Sequence, residues 1–147
     1  MAMSLVKLGS PVCFTGSSEM GIGELIKYAA ELSGGAEFVQ LFDARKEIYP
    51  RLLPAYIGAQ IRYREGILRS GGIEKEMLML VCGKMNVSNA IRECGIADPS
   101  GFICLASGKR VAKSFILKAG IKKPRFVRLV SDMDAAQRVA ITPILES

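Results

Sequence analysis

One stretch of this chain, MLMLVCGKMNVSNAIRECG at residues 77–95, has residue types and spacing that could serve nucleotide chemistry. An apolar run that ends in Gly-Lys before a helix is the arrangement of a phosphate-binding loop. That loop also needs a glycine five residues before the Gly-Lys, and a serine or threonine after the lysine to bind magnesium. The chain has Leu78 and Met85 at those positions. It therefore lacks an intact phosphate-binding loop.

The composition limits the catalytic chemistry further. The chain contains no histidine, so neither a Ser-His-Asp triad nor a Cys-His pair can form, and no imidazole can act as a general base. Its cysteines, which show no CxxC spacing, are Cys13, Cys82, Cys94 and Cys104. We expect these cysteines to be reduced structural thiols, and we expect neither a metal site nor a cofactor.

Length and charge are typical of a cytoplasmic protein with an anionic partner. The 147 residues suffice for one domain with a substantial core, and no apolar run reaches the length of a membrane span. The N-terminus lacks the pattern of a signal peptide. Lysine and arginine outnumber aspartate and glutamate by 20 to 14, which gives a net charge of +6. This surplus favours nucleic acid and then acidic proteins as partners, although an ordinary solvated surface has a similar composition.

Strand and helix patterns alternate along the chain with short turns between them. We predict five strands, at residues 11–15, 38–42, 77–82, 102–106 and 125–130. Helices are predicted between these strands, over about 17–32, 50–70, 86–95 and 109–119, and again from Asp132. The predicted fold class is α/β, a single-domain sandwich of residues 1–147 with helices around a roughly five-stranded, mixed sheet.

The long helix predicted up to about Ser70 is the most informative element. One of its sides, at 100° per residue, is apolar and predicts the face that packs on the core, formed by Leu53, Ile57, Ile61 and Leu68. On the opposite side, Arg62 and Arg69 lie two turns apart and follow the small residues Ala55 and Gly58. Such a ridge would let a phosphate backbone or a protein partner approach closely, whereas the simpler interpretation is a solvated face.

The C-terminal segment DMDAAQRVAITPILES ends in apolar residues. Chain ends are usually polar unless they are docked, and Pro143 cannot continue the preceding helix. We therefore expect Ile141, Ile144 and Leu145 to occupy an apolar groove. The groove belongs either to the core of this protein or to a partner.

Residues 38–106 resemble the accessory-subunit family of the KEOPS complex, which includes the PRPK-binding protein of animals and its archaeal and yeast counterparts. The resemblance runs through FVQLFDA, AYIGAQIRYREGILRSGGIEKEMLMLVCG and NVSNAIRECGI. The residues that match the family in type, order and spacing are Ala59, Tyr63, Gly66, Glu76, Met77–Val81, Asn86, Val87, Ala90, Ile91 and Gly95. No single motif among them is diagnostic.

The resemblance implies a non-catalytic accessory subunit. KEOPS makes threonylcarbamoyladenosine on tRNA through another subunit, while this family binds the small atypical kinase of the complex. Archaeal members also bind the 3′ CCA end of tRNA. With the basic ridge and turn, the resemblance implies RNA binding by Arg62, Arg69, Lys75, Lys84 and Asn86. The apolar tail residues Ile141, Ile144 and Leu145 would bind the kinase, and the rest of KEOPS would be reached only indirectly, without a membrane.

One departure from the family and two alternatives bear on this expectation. Many archaeal members carry Arg-Gln where this chain has Met85-Asn86, so Lys84 would have to supply the charge at that turn. The alternative function is a small α/β enzyme that uses carboxylates or a thiolate on a nucleotide-like substrate. A third possibility keeps the kinase partnership without RNA binding.

Overall fold

The computed structural model describes residues 10–129. In order, these residues form β1 (Val12–Ser17), α1 (Ile22–Glu31), β2 (Val39–Asp43), α2 (Tyr49–Glu65), α3 (Ile73–Cys82), α4 (Val87–Cys94), β3 (Phe102–Ala106), α5 (Lys109–Lys118) and β4 (Lys122–Val127). None of the helices in this range combines the length and the apolar character that a bilayer crossing requires. The helix predicted from Asp132 and the apolar tail lie outside the described residues.

The strands form one antiparallel sheet in the order β2–β3–β1–β4. The units β1–α1–β2 and β3–α5–β4 each skip one strand position, which is the split βαβ arrangement of ferredoxin-like folds. Helices α2, α3 and α4 are inserted between the two units. The predicted α/β class is confirmed. The predicted five strands and mixed pairing are not, because residues 10–129 contain four strands that pair only in antiparallel fashion.

Helices cover both faces of the sheet, because successive side chains of a strand point to opposite sides. Phe14, Leu41 and Cys104 pack with α1 and α5 on one face. Phe42 and Ile103 pack with α2, α3 and α4 on the other. All five residues of β3 are buried. This double burial explains why its sequence, FICLA, is apolar throughout instead of alternating with polar residues.

The segment Met77–Cys82 is helical, so the prediction of a third strand there is wrong. It forms the second part of α3, which begins after Gly72 and ends at Gly83 with a φ of 73°. Seven of the ten residues of α3 are buried, since the helix packs against α2, α4 and β2. The part of the helix at Met77–Val81 is buried throughout and has no polar face, so its short apolar run has the same pattern as a buried strand.

Helix α2 is shorter than predicted and faces the core differently. It ends at Glu65 because Gly66 adopts the left-handed conformation with a φ of 71°. Its fully buried residues are Leu52, Ala55, Tyr56, Ala59 and Gln60, while the predicted stripe is only partly buried. At Gly58, a Cβ atom would lie 3.2 Å from Leu80 Cδ1. The space that the small residues leave is therefore occupied by α3.

The four cysteines are free thiols at the core or its margin. Cys13, Cys94 and Cys104 are buried, and Cys82 is partly exposed. Burial raises the pKa of Cys13 to about 12 and also raises the pKa of Cys104 well above the ordinary thiol value. Both thiols are therefore protonated near neutral pH, which makes them poor nucleophiles.

Candidate nucleic-acid interface

A buried carboxylate organises the region in which most of the predicted site residues lie. Glu76, in the first turn of α3, has 0% exposure. Its Oε2 accepts a hydrogen bond from Nη1 of Arg62 at 2.5 Å. Its Oε1 accepts from the backbone N–H of Arg69 at 2.8 Å and from the hydroxyl of Ser70 at 3.1 Å. A buried carboxylate is tolerated only with such charged and polar donors around it.

These contacts hold the connection between α2 and α3, residues 66–72, in one conformation. Its sequence, GILRSGG, contains three glycines, and two of them, Gly66 and Gly71, have φ values of 71° and 95°. Glycine loses more backbone freedom on folding than other residues do. The bonds to Glu76 offset that entropy by fixing Arg69 and Ser70 in the middle of the connection.

The predicted ridge of Arg62 and Arg69 on one helix does not exist, because α2 ends before Arg69. The two arginines instead meet at the carboxylate of Glu76, Arg62 through its guanidinium and Arg69 through its backbone. The side chain of Arg62 is only 20% exposed. Arg62 therefore serves as an internal counter-charge, whereas Arg69 remains exposed.

Arg69 reaches the turn between α3 and α4. Its Nη1 lies 3.9 Å from Sδ of Met85. Beside Met85, Lys84 forms a 3.7 Å ion pair with Glu93, and both side chains of that pair are substantially exposed. Asn86 is the N-cap of α4, and its side-chain oxygen accepts from the backbone N–H of Asn89 at 3.1 Å. The fold thus brings Arg69, Lys84 and Asn86 together around Met85, and we call these four residues the Met85 surface.

Lys75 belongs to a different surface. It follows Glu74 on α3, and both residues line an apolar depression of about 140 Å³ between α1, α3 and α4. Ile26 and Ile91 line the same depression. Adjacent helical residues point about 100° apart, so Lys75 diverges from Glu76, which is directed toward α2. Lys75 is not joined to the Met85 surface.

Cys82 lies close to this turn and not in a central strand. Its Sγ is 3.7 Å from Oε2 of Glu93. Burial raises the pKa of Cys82, and the neighbouring Cys94 and Glu93 raise it further. The thiol is therefore protonated near neutral pH and poorly suited to nucleophilic attack.

The sequence patterns missed the organising role of Glu76, which directly precedes the strand that was predicted at residues 77–82. The available signal was a single carboxylate directly before an apolar run, with Arg62 14 residues earlier. Only the turn of the chain at residues 66–72 brings the two charges together. Ile141, Ile144 and Leu145, the predicted kinase-binding residues, lie outside the described range.

The Met85 surface can bind a ligand through its side-chain donors. Arg69 offers a guanidinium, Lys84 an ammonium and Asn86 a side-chain amide, and Met85 adds a polarisable thioether. This set suits an anionic or planar polar ligand. In the chain from residue 10 to 129, no three cysteine, aspartate or glutamate side chains converge to hold a metal ion. Comparison with known proteins gives no match, either to a family model or to a curated protein sequence.

Proposed function

We propose that this protein is a non-catalytic subunit of the KEOPS complex that binds the 3′ CCA end of tRNA and the small atypical kinase. The resemblance of residues 38–106 to the accessory-subunit family motivates the proposal. The structural observation that supports it is the attachment of Arg69 to Glu76. This bond holds an exposed arginine beside Lys84 and Asn86.

A held arginine suits RNA, because a guanidinium can donate two parallel hydrogen bonds to a phosphate or a base edge. Fixing the backbone of Arg69 in advance also reduces the entropy that binding would cost. Lys84 can exchange Glu93 for a phosphate at small cost, since their ion pair is exposed. The unpaired bases of a CCA end leave their edges accessible to the amide of Asn86.

Arg62 has a supporting role in this proposal. Its guanidinium neutralises Glu76 and so maintains the backbone position of Arg69. Replacement of Arg62 would therefore disturb RNA binding and stability together. Replacement of Arg69 would weaken RNA binding alone.

The test is a titration of tRNA with the purified protein, using intact tRNA and tRNA from which the CCA end has been removed. Binding should require the CCA end and weaken steeply as salt increases. Arg69→Glu should reduce the affinity by about tenfold or more, since it replaces an attraction by a repulsion. Lys27→Glu makes the same charge change at an exposed position of α1, and its effect should be small.

Three results would count against the proposal. An Arg69→Glu variant with normal melting behaviour and unchanged affinity would remove the Met85 surface from the RNA site. Nucleotide turnover by the isolated protein would instead favour the alternative, a small α/β enzyme. Retention of a small kinase without any tRNA binding would limit the function to the kinase partnership.

A further inference from the structure

The positive charge of the chain is concentrated in α5 and β4. Residues 107–129, SGKRVAKSFILKAGIKKPRFVRL, contain eight lysines and arginines and no aspartate or glutamate. Because the whole chain has a net charge of only +6, the remaining residues taken together are slightly acidic. An asymmetry of this kind is the electrostatic footprint of a nucleic-acid-binding surface.

The fold brings these eight charges together on two neighbouring elements, α5 and β4, with the segments that flank them. Strand β4 is an edge strand beside β1, and α5 packs on the adjoining face. The basic side chains are all exposed, namely Lys109, Arg110, Lys113, Lys118, Lys122, Lys123, Arg125 and Arg128. Three of them pair with exposed glutamates: Arg110 with Glu37, Lys118 with Glu31 and Lys122 with Glu19. For the other five, no carboxylate within residues 10–129 lies at ion-pair distance.

An apolar groove of about 240 Å³ lies within this charged surface, between α5 and β4. Val12 and Ala112 contribute to its lining, with Lys109 and Lys113 from α5 and Phe126 from β4. Lys109 and Lys113 are four residues apart on one side of the helix, where side chains are neighbours. We call this feature the Phe126 groove.

Phe126 is 62% exposed although it is a large apolar side chain. Its ring centroid is 5.6 Å from that of Phe14, a fully buried residue, with the planes tilted by 52°. Phe14 therefore supports the ring from the core side while much of its surface remains open to solvent. A supported, exposed aromatic ring between lysines is a platform on which a nucleobase can stack.

An edge strand such as β4 could also pair with a strand of another protein, but its sequence and geometry disfavour such pairing. Pro124 has no backbone N–H to donate to an added strand. Lys123 has a φ of 51°, and the pairing of β4 with β1 shifts register between Thr15 and Ser17. A proline, an irregularity and several lysines are the means by which edge strands avoid further pairing.

We propose that the Phe126 groove binds single-stranded nucleic acid. A nucleobase stacks on Phe126, and the flanking phosphates contact Lys109 and Lys113. The neighbouring Arg128 can contact a further phosphate of the bound strand. This site is separate from the Met85 surface and does not depend on the function proposed above. Stacking and phosphate contacts are available in RNA and DNA alike, so both should bind.

The experiment is a fluorescence titration of the full chain with labelled single-stranded oligouridine and oligothymidine of about 12 nucleotides, a length within the range that such sites cover. Lys109→Glu with Lys113→Glu should weaken binding by at least about tenfold and reduce its salt dependence. Phe126→Leu should keep the apolar contact with Phe14 but remove the flat ring, and should weaken binding by about tenfold without changing the salt dependence.

Matched variants separate this site from the rest of the surface. Leu117→Ala removes another exposed apolar side chain of α5, which is 82% exposed, and should bind like the wild type. Lys27→Glu reverses an exposed charge of α1, outside the Phe126 groove, and should leave oligonucleotide binding nearly unchanged. Wild-type affinity of a folded Phe126→Leu variant, or equal affinity for a duplex of the same length, would overturn the proposal.

Discussion

Nη1 of Arg62 and Oε2 of Glu76 are 2.5 Å apart, although the two residues belong to different helices. The contact joins the last turn of α2 to the first turn of α3 and closes the hairpin that these helices form. Glu76 has no exposed surface, so its charge depends on this partner for compensation. The pair thus supports the carboxylate that holds Arg69 and Ser70 in the connection between the two helices.

Glu76→Gln should lower the free energy of unfolding by about 2–4 kcal/mol, because it leaves a largely buried guanidinium without its counter-charge. The partial exposure of Arg62 places this estimate below the cost for a fully buried pair. Denaturant unfolding of the variant measures the effect. Glu19→Gln, which breaks the exposed pair with Lys122, should leave the unfolding midpoint unchanged. Similar decreases in the free energy of unfolding for the two variants would show that the buried pair stabilises the protein no more than the exposed pair does.

Cys104→Ala should destabilise the protein more than Cys82→Ala. Cys104 is fully buried in β3, the strand between β1 and β2, and its loss should cost about 1–2 kcal/mol by leaving a small cavity. The sequence analysis predicted a strand position for Cys82 as well, within residues 77–82. Because Cys82 instead ends α3 with partial exposure, its replacement should cost less. Equal unfolding midpoints for the two variants would contradict this ranking.

Asp43 should make stability depend on pH in the acid range. A hydrogen bond from Arg45 lowers the pKa of this buried carboxyl group. A pKa that is lower in the folded state stabilises the protein above the unfolded value, and the stabilisation is lost as pH falls below about 4. Asp43→Asn should therefore flatten the dependence of Tm on pH in that range. A variant whose Tm falls as steeply as that of the wild type would assign the acid sensitivity to other carboxylates.

On the proposed kinase partnership, Ile144→Arg should abolish kinase binding, because an arginine cannot enter an apolar pocket without leaving an unpaired buried charge. Copurification from a strain that expresses both chains measures this binding. The Tm and the tRNA affinity of the variant subunit should match those of the wild type. If the variant unfolds, the tail belongs to the core of this protein, and the kinase must bind another surface.

Much of the fold could be predicted because most element boundaries are marked locally. Strands β1, β2 and β3 and helix α5 lie within a few residues of their predicted positions, between turn residues such as Asp98-Pro99-Ser100-Gly101. The error at α3 has a physical cause. Residues Met77–Val81 are all buried, so the sequence there lacks the polar face by which a helix is usually recognised. Gly66 is a typical residue for the end of a helix. The sequence analysis nevertheless extended α2 to about Ser70, because apolar side chains beyond Gly66 continue the helical periodicity.

The two proposed binding surfaces were less predictable than the fold. The Met85 surface depends on Glu76 meeting the backbone of Arg69, and no spacing rule describes a contact between a side chain and a turn. The basic charge of residues 107–129 is present in the sequence. The net charge of the whole chain does not reveal it, because the acidic residues elsewhere offset it. Its concentration around Phe126 follows only from the position of β4 at the sheet edge.

The strand order also constrains how the protein can be made. Every pairing in the described sheet involves β1 with β3, β1 with β4, or β2 with β3, so β1 and β2 have no partner until residues 102–106 have been synthesised. While the ribosome translates the residues that precede β3, the nascent chain carries two unpaired strands and four helices whose apolar sides are not yet covered by the sheet. During this interval, chaperones can bind the exposed apolar segments. Once β3 has been synthesised, it can pair with β1 and β2, and the sheet can cover these segments.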